Sequence, residues 1–389
     1  MKCILMNKNT KVLTLEYDSE LKVFTEIYEV NNIEYAPIVL KNAYTNKENF
    51  KAVISEWFKG RGIPSWRDDL DLLLAKLGIT TPLELLDKAF GLSLSDQYWI
   101  KPLDTEVEYK DINFFEHDFS NSEFTEATFS NSINSNTKIS LISPNNTTDG
   151  RLKKTWTIEN GKRYLLKGGY KQEVMQPFNE VLASMICDRL GFYYVPYTID
   201  VINNKIVSKC ECFINSSTEL VSAYQILHDQ VNKENAYEEY IKILGNNGIS
   251  NARENIENMF ILDYLILNED RHLNNFGIIR NVDTLNWISV APIFDNGQSL
   301  NILDYNDEEV IINGQGRFFY KVDNFDSIIA NINNIKRFDV SKLDGLVEEF
   351  DELLHKYQDI THMTDRRINK ICTLLLIRIN KLKEIVDNS

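Results

Sequence analysis

Apolar positions recur with two different periods along this chain, and the switches between them outline its elements. Up to about residue 40 the stretches "KVLTLEYD", "LKVFTEIYEV" and "YAPIVL" are β-branched and aromatic with polar breaks, which predicts short strands. From Asn46 the period becomes helical. In "KENFKAVISEWF" the residues Phe50, Val53, Ile54, Trp57 and Phe58 share one face. "SWRDDLDLLLAKLG" predicts a second helix with Ser65 as N-cap and Gly78 as its stop. "TTPLELLDKAFG" predicts a third, with Pro82 at its first position. Residues 117–150 are dense in Ser, Asn and Thr and read as a solvated linker.

Strands return after Leu152. "KKTWTIENGKRYLLKGG" predicts a hairpin turning at "ENGK", and "YYVPYTIDVINNKIVSKCECFI" another turning at "NN". Between them, "EVMQPFNEVLASMICDRLG" carries an apolar stripe closed by Gly191. Beyond Asn215 the pattern predicts helices at 219–230, 233–245, 251–268, 340–357 and 364–386. A two-strand insertion at 276–294, ending in "WISVAPIF", interrupts them. No internal repeat is present. Strands with one helix followed by helices with one hairpin predict an α+β, two-lobed architecture. The boundaries expected are 1–137 for an N-terminal strand-plus-helix subdomain and its linker, 138–215 for a strand-rich lobe and 216–389 for a helical lobe. A ligand is expected between lobes.

Composition narrows the function classes. The chain has 389 residues, 43% apolar and 25% charged, ordinary for a globular protein. A net charge of -15 argues against direct nucleic-acid binding or an anionic membrane surface as the partner, since both need a basic footprint. The five cysteines show no Cys-x-x-Cys pair and no zinc spacing, and a reducing cytoplasm is the simplest setting. No signal-peptide pattern and no run of about 18 apolar residues occurs.

The segment "LILNEDRHLNNFGIIRNVDTLNWISVAPIFDNGQSL", 265–300, concentrates the candidate chemistry. Asp270 follows a predicted buried helix, Asn275 comes five residues later, and Asp295 follows the predicted hairpin. Phosphoryl transfer needs a carboxylate to orient the acceptor and hard oxygen ligands for magnesium. An Asp, an Asn at plus five and a later Phe-Asp-x-Gly supply that set, with the spacing of a kinase catalytic loop. Taken singly, Asp270–Arg271 would read as a helix-end salt bridge and Asn274–Asn275 as a turn. His272 is expected to orient Asp270 instead of taking a proton. The same reading asks for a strand-end lysine on the nucleotide phosphates, offered by Lys167, and a helix glutamate to brace it, offered by Glu180. "SPNNTTDG", 143–150, is the candidate phosphate loop, with Asn146, Thr147 and Thr148 beside the nucleotide. It has Gly150 alone where a glycine-rich loop has three, so a plain polar turn stands as the alternative. The connector backbone at Cys212–Ile214 is the expected adenine edge by position.

Together these residues resemble the HipA-like kinases, bacterial serine/threonine protein kinases whose fold is related to both protein kinases and phosphatidylinositol kinases. The likeness spans about residues 138–386 and is strongest in "NEDRHLNNFG", "APIFDNGQSL", "YLLKGG" and "NEVLASMICDRLG". The family motif Asn-x-Asp-x-His-x-x-Asn is matched by Asn268, Asp270, His272 and Asn275. The resemblance implies ATP and Mg²⁺ as cofactors, Asp270 as the catalytic Asp, Asn275 and Asp295 as metal ligands, and Lys167 as the nucleotide lysine. It implies a protein substrate with a Ser or Thr acceptor. It also implies autophosphorylation in the phosphate loop, where Ser143, Thr147 and Thr148 are candidates. An antitoxin-like regulator is a partner inherited with the family. The loop "PNNTTDG" departs from the family's Gly- and Gln-containing sequence, and residues 1–137 match only loosely. The rival readings are a small-molecule or phosphoinositide kinase, a non-catalytic nucleotide-binding scaffold, and a regulatory partner of a DNA-binding protein.

Overall fold

The computed structural model describes residues 1–65, 67, 69–119, 128–129, 143–148, 151–170, 174–228, 233–300 and 314–389. The chain forms two compact units. The first comprises 1–167, 211–221 and 279–288; the second comprises 168–210, 222–278 and 289–389.

In the first unit, β1 (Lys2–Asn7), β2 (Thr10–Asp18), β3 (Val23–Val30) and β4 (Tyr98–Pro102) form an antiparallel sheet in the order β3-β2-β1-β4. Side chains alternate across a strand. Cys3 and Leu5 therefore pack on one face with Leu13, Leu15, Leu40, Ile54 and Phe58. Ile4 and Met6 pack on the other with Leu92, Trp99 and Phe114. The first face is covered by α1 (Ile38–Thr45) and α2 (Phe50–Lys59).

Helix α1 corrects the strand expected at "YAPIVL". Pro37 sets the entry, and Ile38, Val39, Leu40 and Ala43 bury along one helical face, so packing overrides their β preference. Helix α3 (Leu70–Leu77) starts later than a Ser65 cap would place it, behind Asp69 at φ 57°, and stops at Gly78 as expected. Helix α4 (Pro82–Lys88) has Pro82 at its start. A single turn, α5 (Tyr109–Ile112), follows β4. The expected hairpin turning at Asn160 and Gly161 is present as β5 (Lys154–Glu159) and β6 (Lys162–Gly168).

The second unit opens with α6 (Met175–Leu190), closed by Gly191 in the left-handed region. The hairpin of β7 (Tyr197–Ile202) and β8 (Lys205–Glu211) follows, with Asn203 and Asn204 both at positive φ in its turn. The helix expected over 219–230 is instead β9 (Thr218–Ser222) running into the short α7 (Ala223–Leu227). This segment pairs as a strand with Gly277–Asn281, Leu220 N–H donates to the Ser95 carbonyl, and the Ser222 hydroxyl then caps α7. Helix α8 (Ala236–Asn246) leads to α9 (Ala252–Ile266). From Ile256 onward every residue of α9 is buried, the pattern of a central helix.

The insertion, whose residues 279–288 belong to the first unit, is β10 (Gly277–Asn281) and β11 (Trp287–Val290). β11 ends before Pro292, short of the full "WISVAPIF" run, because proline has no N–H for a ladder. A second hairpin unforeseen in the sequence, β12 (Gln315–Phe318) and β13 (Lys321–Asn324), precedes α10 (Phe325–Ile329). Helices α11 (Leu346–Lys356), α12 (Gln358–Thr361) and α13 (Asp365–Asn388) complete the unit. Among the described residues no helix is long and apolar enough to cross a membrane.

Candidate active site

Helix α9 ends by a local device. Leu267 adopts φ 51°, and its N–H returns to the Asp263 carbonyl. Asn268 then bonds the Asp263 carboxylate through Nδ2 at 2.9 Å, and its Oδ1 accepts the Asp270 N–H at 3.2 Å. The chain leaves the helix already tied to it, and Asp270 is held from behind.

Arg271 holds the rest. It is 1% exposed, and its N–H groups reach four other residues. Nε and Nη2 form a fork on the Asp263 carboxylate at 3.0 and 2.8 Å. Nη1 donates to the carbonyls of Asn275 at 3.1 Å and Phe294 at 2.6 Å. Nη2 also donates to Asn296 Oδ1 at 2.5 Å. Burial opposes the guanidinium charge, but the Asp263 carboxylate keeps its pKa above the ordinary arginine value. One side chain thus ties the loop 268–276 to the turn 294–297.

Those two segments carry the expected chemistry. Asn275 is buried, and its Nδ2 donates to the Asp270 carbonyl at 2.9 Å. That leaves its Oδ1, the end a hard cation takes. Asp295 sits at φ 56° in the turn beyond β11, not on a strand end as expected. Asp270 is part-buried, and burial raises its pKa; His272 lowers it, Asp295 raises it and Arg317 lowers it, so these groups share one electrostatic neighbourhood. Arg317 Nε lies 3.6 Å from Asp270 Oδ1. His272 Nδ1 accepts the Asn274 N–H at 3.3 Å, which leaves the ring proton on Nε2, 3.9 Å from Asp270 Oδ2. The ring is thus engaged with its own loop.

Glu180 lies on α6 in the second unit and is buried. Its Oε2 accepts both the backbone N–H of Asn296 at 2.8 Å and the Asn296 side-chain amide at 3.3 Å. Gly297 packs closely next to it: a Cβ there would lie 3.3 Å from Gln176 Cβ on the same helix. Lys167, the last residue but one of β6, lies in the first unit and is 3% exposed, unlike an ordinary strand-end lysine.

The loop 143–148 forms a single 3-10 turn in the first unit. The Ser143 hydroxyl accepts the Asn145 N–H at 3.2 Å. Asn146 Nδ2 donates to the Leu85 carbonyl at 3.0 Å, and Thr147 Oγ1 donates to the Leu92 carbonyl at 2.9 Å. The Thr148 hydroxyl donates to the Asn145 carbonyl and accepts from Arg67 Nη1 at 2.7 Å. These groups, expected beside the nucleotide, engage the α3–α4 region and the loop itself. Gly150 lies outside the described residues. At the connector, the Cys212 N–H is taken by the Arg163 carbonyl and its thiol donates toward the Ile214 carbonyl at 3.3 Å. The adenine edge expected there loses the Cys212 amide as a donor.

Asp263, Arg271, Asn296 and Arg317 did not stand out in the sequence. Asp263 carried a signal, as the sole charge within "MFILDYLIL". Arg271 carried a misleading one, its adjacency to Asp270.

No protein-family model matches the sequence. The chain is 26% identical over 230 residues to the serine/threonine-protein kinase CtkA of Helicobacter pylori, covering 54% of this chain and 63% of that relative's length. A solved structure of that proinflammatory kinase aligns with a TM-score of 0.48 at 20% identity, over 60% of this chain and 89% of the other. The structure of HipA from Shewanella oneidensis MR-1, in a toxin–antitoxin complex with HipB and operator DNA, aligns over 99% of both chains with a TM-score of 0.55 and 14% identity. The whole-chain match shows a kinase-like α+β fold of the HipA type. The sequence likeness to CtkA spans about half of this chain and less than two thirds of that relative.

Proposed function

We propose that the chain is an ATP- and Mg²⁺-dependent protein kinase that phosphorylates Ser or Thr, itself included. The observation that carries the reading is the Arg271 staple. It ties the loop bearing Asp270 and Asn275 to the turn bearing Asp295, and nothing in a merely structural helix end calls for that. The raised pKa of Asp270, caused first by burial, is the further mark of a working carboxylate.

In this reading Asp270 orients the acceptor hydroxyl and takes its proton, and His272 holds that carboxylate in place. Asn275 Oδ1 and Asp295 offer hard oxygens, the donor type magnesium takes alongside water and phosphate. A magnesium ion held there would neutralise phosphate charge. Lys167 meets the α/β-phosphates, with Glu180 as its brace. Loop 143–148 covers the phosphates and supplies the autophosphorylated hydroxyl among Ser143, Thr147 and Thr148, and the backbone near Ile214 borders the adenine. Residues 138–215 and 216–389 are the two lobes of this machine. A protein regulator of the antitoxin kind, as in the HipA–HipB assembly, is the partner to seek.

Incubation with γ-labelled ATP and Mg²⁺, beside Asp270→Asn and Asp295→Asn, tests the reading. Label on Ser or Thr of the chain or of an added protein, absent from both variants, is expected. ATP binding without transfer to any protein, with label passing to a phosphoinositide or small alcohol, would replace it.

A further inference from the structure

The hairpin of β12 and β13 puts a cation at the candidate acceptor carboxylate. It is firmly seated. A Cβ on Gly316 would lie 2.6 Å from Phe325 Cε1, so the strand runs flat against that ring and only glycine fits. Phe318 packs on Phe260 with centroids 5.3 Å apart, and Phe319 packs on Phe276 at 5.4 Å and on Tyr240 at 5.7 Å. Between these anchors stands Arg317, its side chain 49% exposed and its Nε 3.6 Å from Asp270 Oδ1. Among the described residues the Arg317 side chain makes no hydrogen bond, so its terminal nitrogens are uncommitted. An ion pair this exposed adds little to stability. The fixed part is the strand, and what the strand presents is a guanidinium with free donors.

We propose that Arg317 is a catalytic residue that contacts the phosphoryl group in transit; the inference rests on the kinase reading above. In that step the acceptor oxygen bonds to the γ-phosphorus and its proton passes to Asp270. The bond from phosphorus to the bridging oxygen breaks, and ADP leaves with that electron pair. Charge spreads over the three equatorial oxygens of the moving group. Asp270 marks where the acceptor hydroxyl sits, and the uncommitted nitrogens of Arg317 lie on that side. A fixed cation there acts more strongly in the transition state than in the ground state, which raises kcat without changing nucleotide affinity.

The test compares wild type, Arg317→Ala, Arg317→Lys and Asp270→Asn in steady-state transfer from γ-labelled ATP to dephosphorylated casein and to the chain itself. Arg317→Ala is expected to lose about 10²-fold in kcat, the scale of removing one such donor, with the KM for ATP nearly unchanged. Arg317→Lys should recover part of the loss, and thermal unfolding of both should match wild type. Full activity in Arg317→Ala, with Asp270→Asn inactive, overturns the proposal and leaves the kinase reading standing. A loss confined to the KM for the acceptor also overturns it, by making Arg317 an acceptor-binding group. No transfer by wild type overturns the kinase reading itself, and the proposal with it.

Discussion

Arg271 follows Asp270 in the chain but pairs with Asp263, eight residues earlier, through a two-nitrogen fork at 3.0 and 2.8 Å. The pair is almost fully buried, with side chains 1% and 6% exposed. Breaking one partner of such a pair leaves the other charge unmatched, which costs about 3–5 kcal/mol. Arg271→Ala is expected to lose that much in denaturant unfolding. Arg271→Lys keeps the charge but has only three donors at one point, so it cannot reach Asp263, Asn275, Phe294 and Asn296 together. It should unfold closer to wild type yet transfer phosphate far more slowly. Stability and activity falling in proportion for both variants would reduce Arg271 to a structural ion pair.

The oxygen donors at Asn275 and Asp295 predict a metal requirement. Chelation should abolish transfer, and added Mg²⁺ should restore it. In Asn275→Ala the Mg²⁺ needed for half-maximal rate should rise about tenfold or more, because one ligand and the bond to the Asp270 carbonyl are both gone. Titration of the rate against Mg²⁺ for the two proteins measures this. An unchanged midpoint would remove Asn275 from the metal site.

Arg67 predicts a role for the N-terminal subdomain. It is buried and bonds both the hydroxyl and the carbonyl of Thr148. Hydrogen bonds from a charged donor contribute about 1.5–3 kcal/mol, so Arg67→Ala should free the turn 143–148. The expected result is a KM for ATP raised about tenfold, with faster tryptic cleavage at Arg151. If both readouts match wild type, the subdomain does not hold this loop for nucleotide binding.

The raised pKa of Asp270 predicts the pH profile. Burial is the largest cause and Asp295 adds to it, while His272 and Arg317 oppose it. A protonated carboxyl cannot take the acceptor proton, so transfer should fall as pH drops through a pKa above the ordinary Asp value. Arg317→Ala removes one opposing charge and should move this acidic limb to higher pH. Stability runs the opposite way. The folded state holds the proton where the unfolded chain has lost it, so stability declines as pH rises from the ordinary value through the raised one. Asp270→Asn should therefore gain stability relative to wild type at neutral pH, measured by unfolding at two pH values.

Local pattern alone determined much of this protein. Turn residues placed both central hairpins, at Asn160–Gly161 and Asn203–Asn204, because those positions need positive φ. Apolar periodicity placed α2, α6, α9 and α13, and the spacing of Asp270, Asn275 and Asp295 marked the candidate chemistry before any coordinates. Helix α1 and strand β9 escaped because their type depends on what they pack against or pair with, and β propensity is a property of context. The β12–β13 hairpin escaped because two of its anchors, Phe260 and Phe276, are distant in sequence.

The partners of the charges were decided by tertiary structure alone. Sequence adjacency offered Arg271 to Asp270, but a carboxylate buried at Asp263 forms the stronger pair where water is excluded. The same packing turned the side chains of Asn146, Thr147 and Thr148 toward the α3–α4 region and set Arg317 beside Asp270. A sequence lists charges in order along one dimension. Which of them meet depends on distance and dielectric in three dimensions, and only the folded chain fixes those.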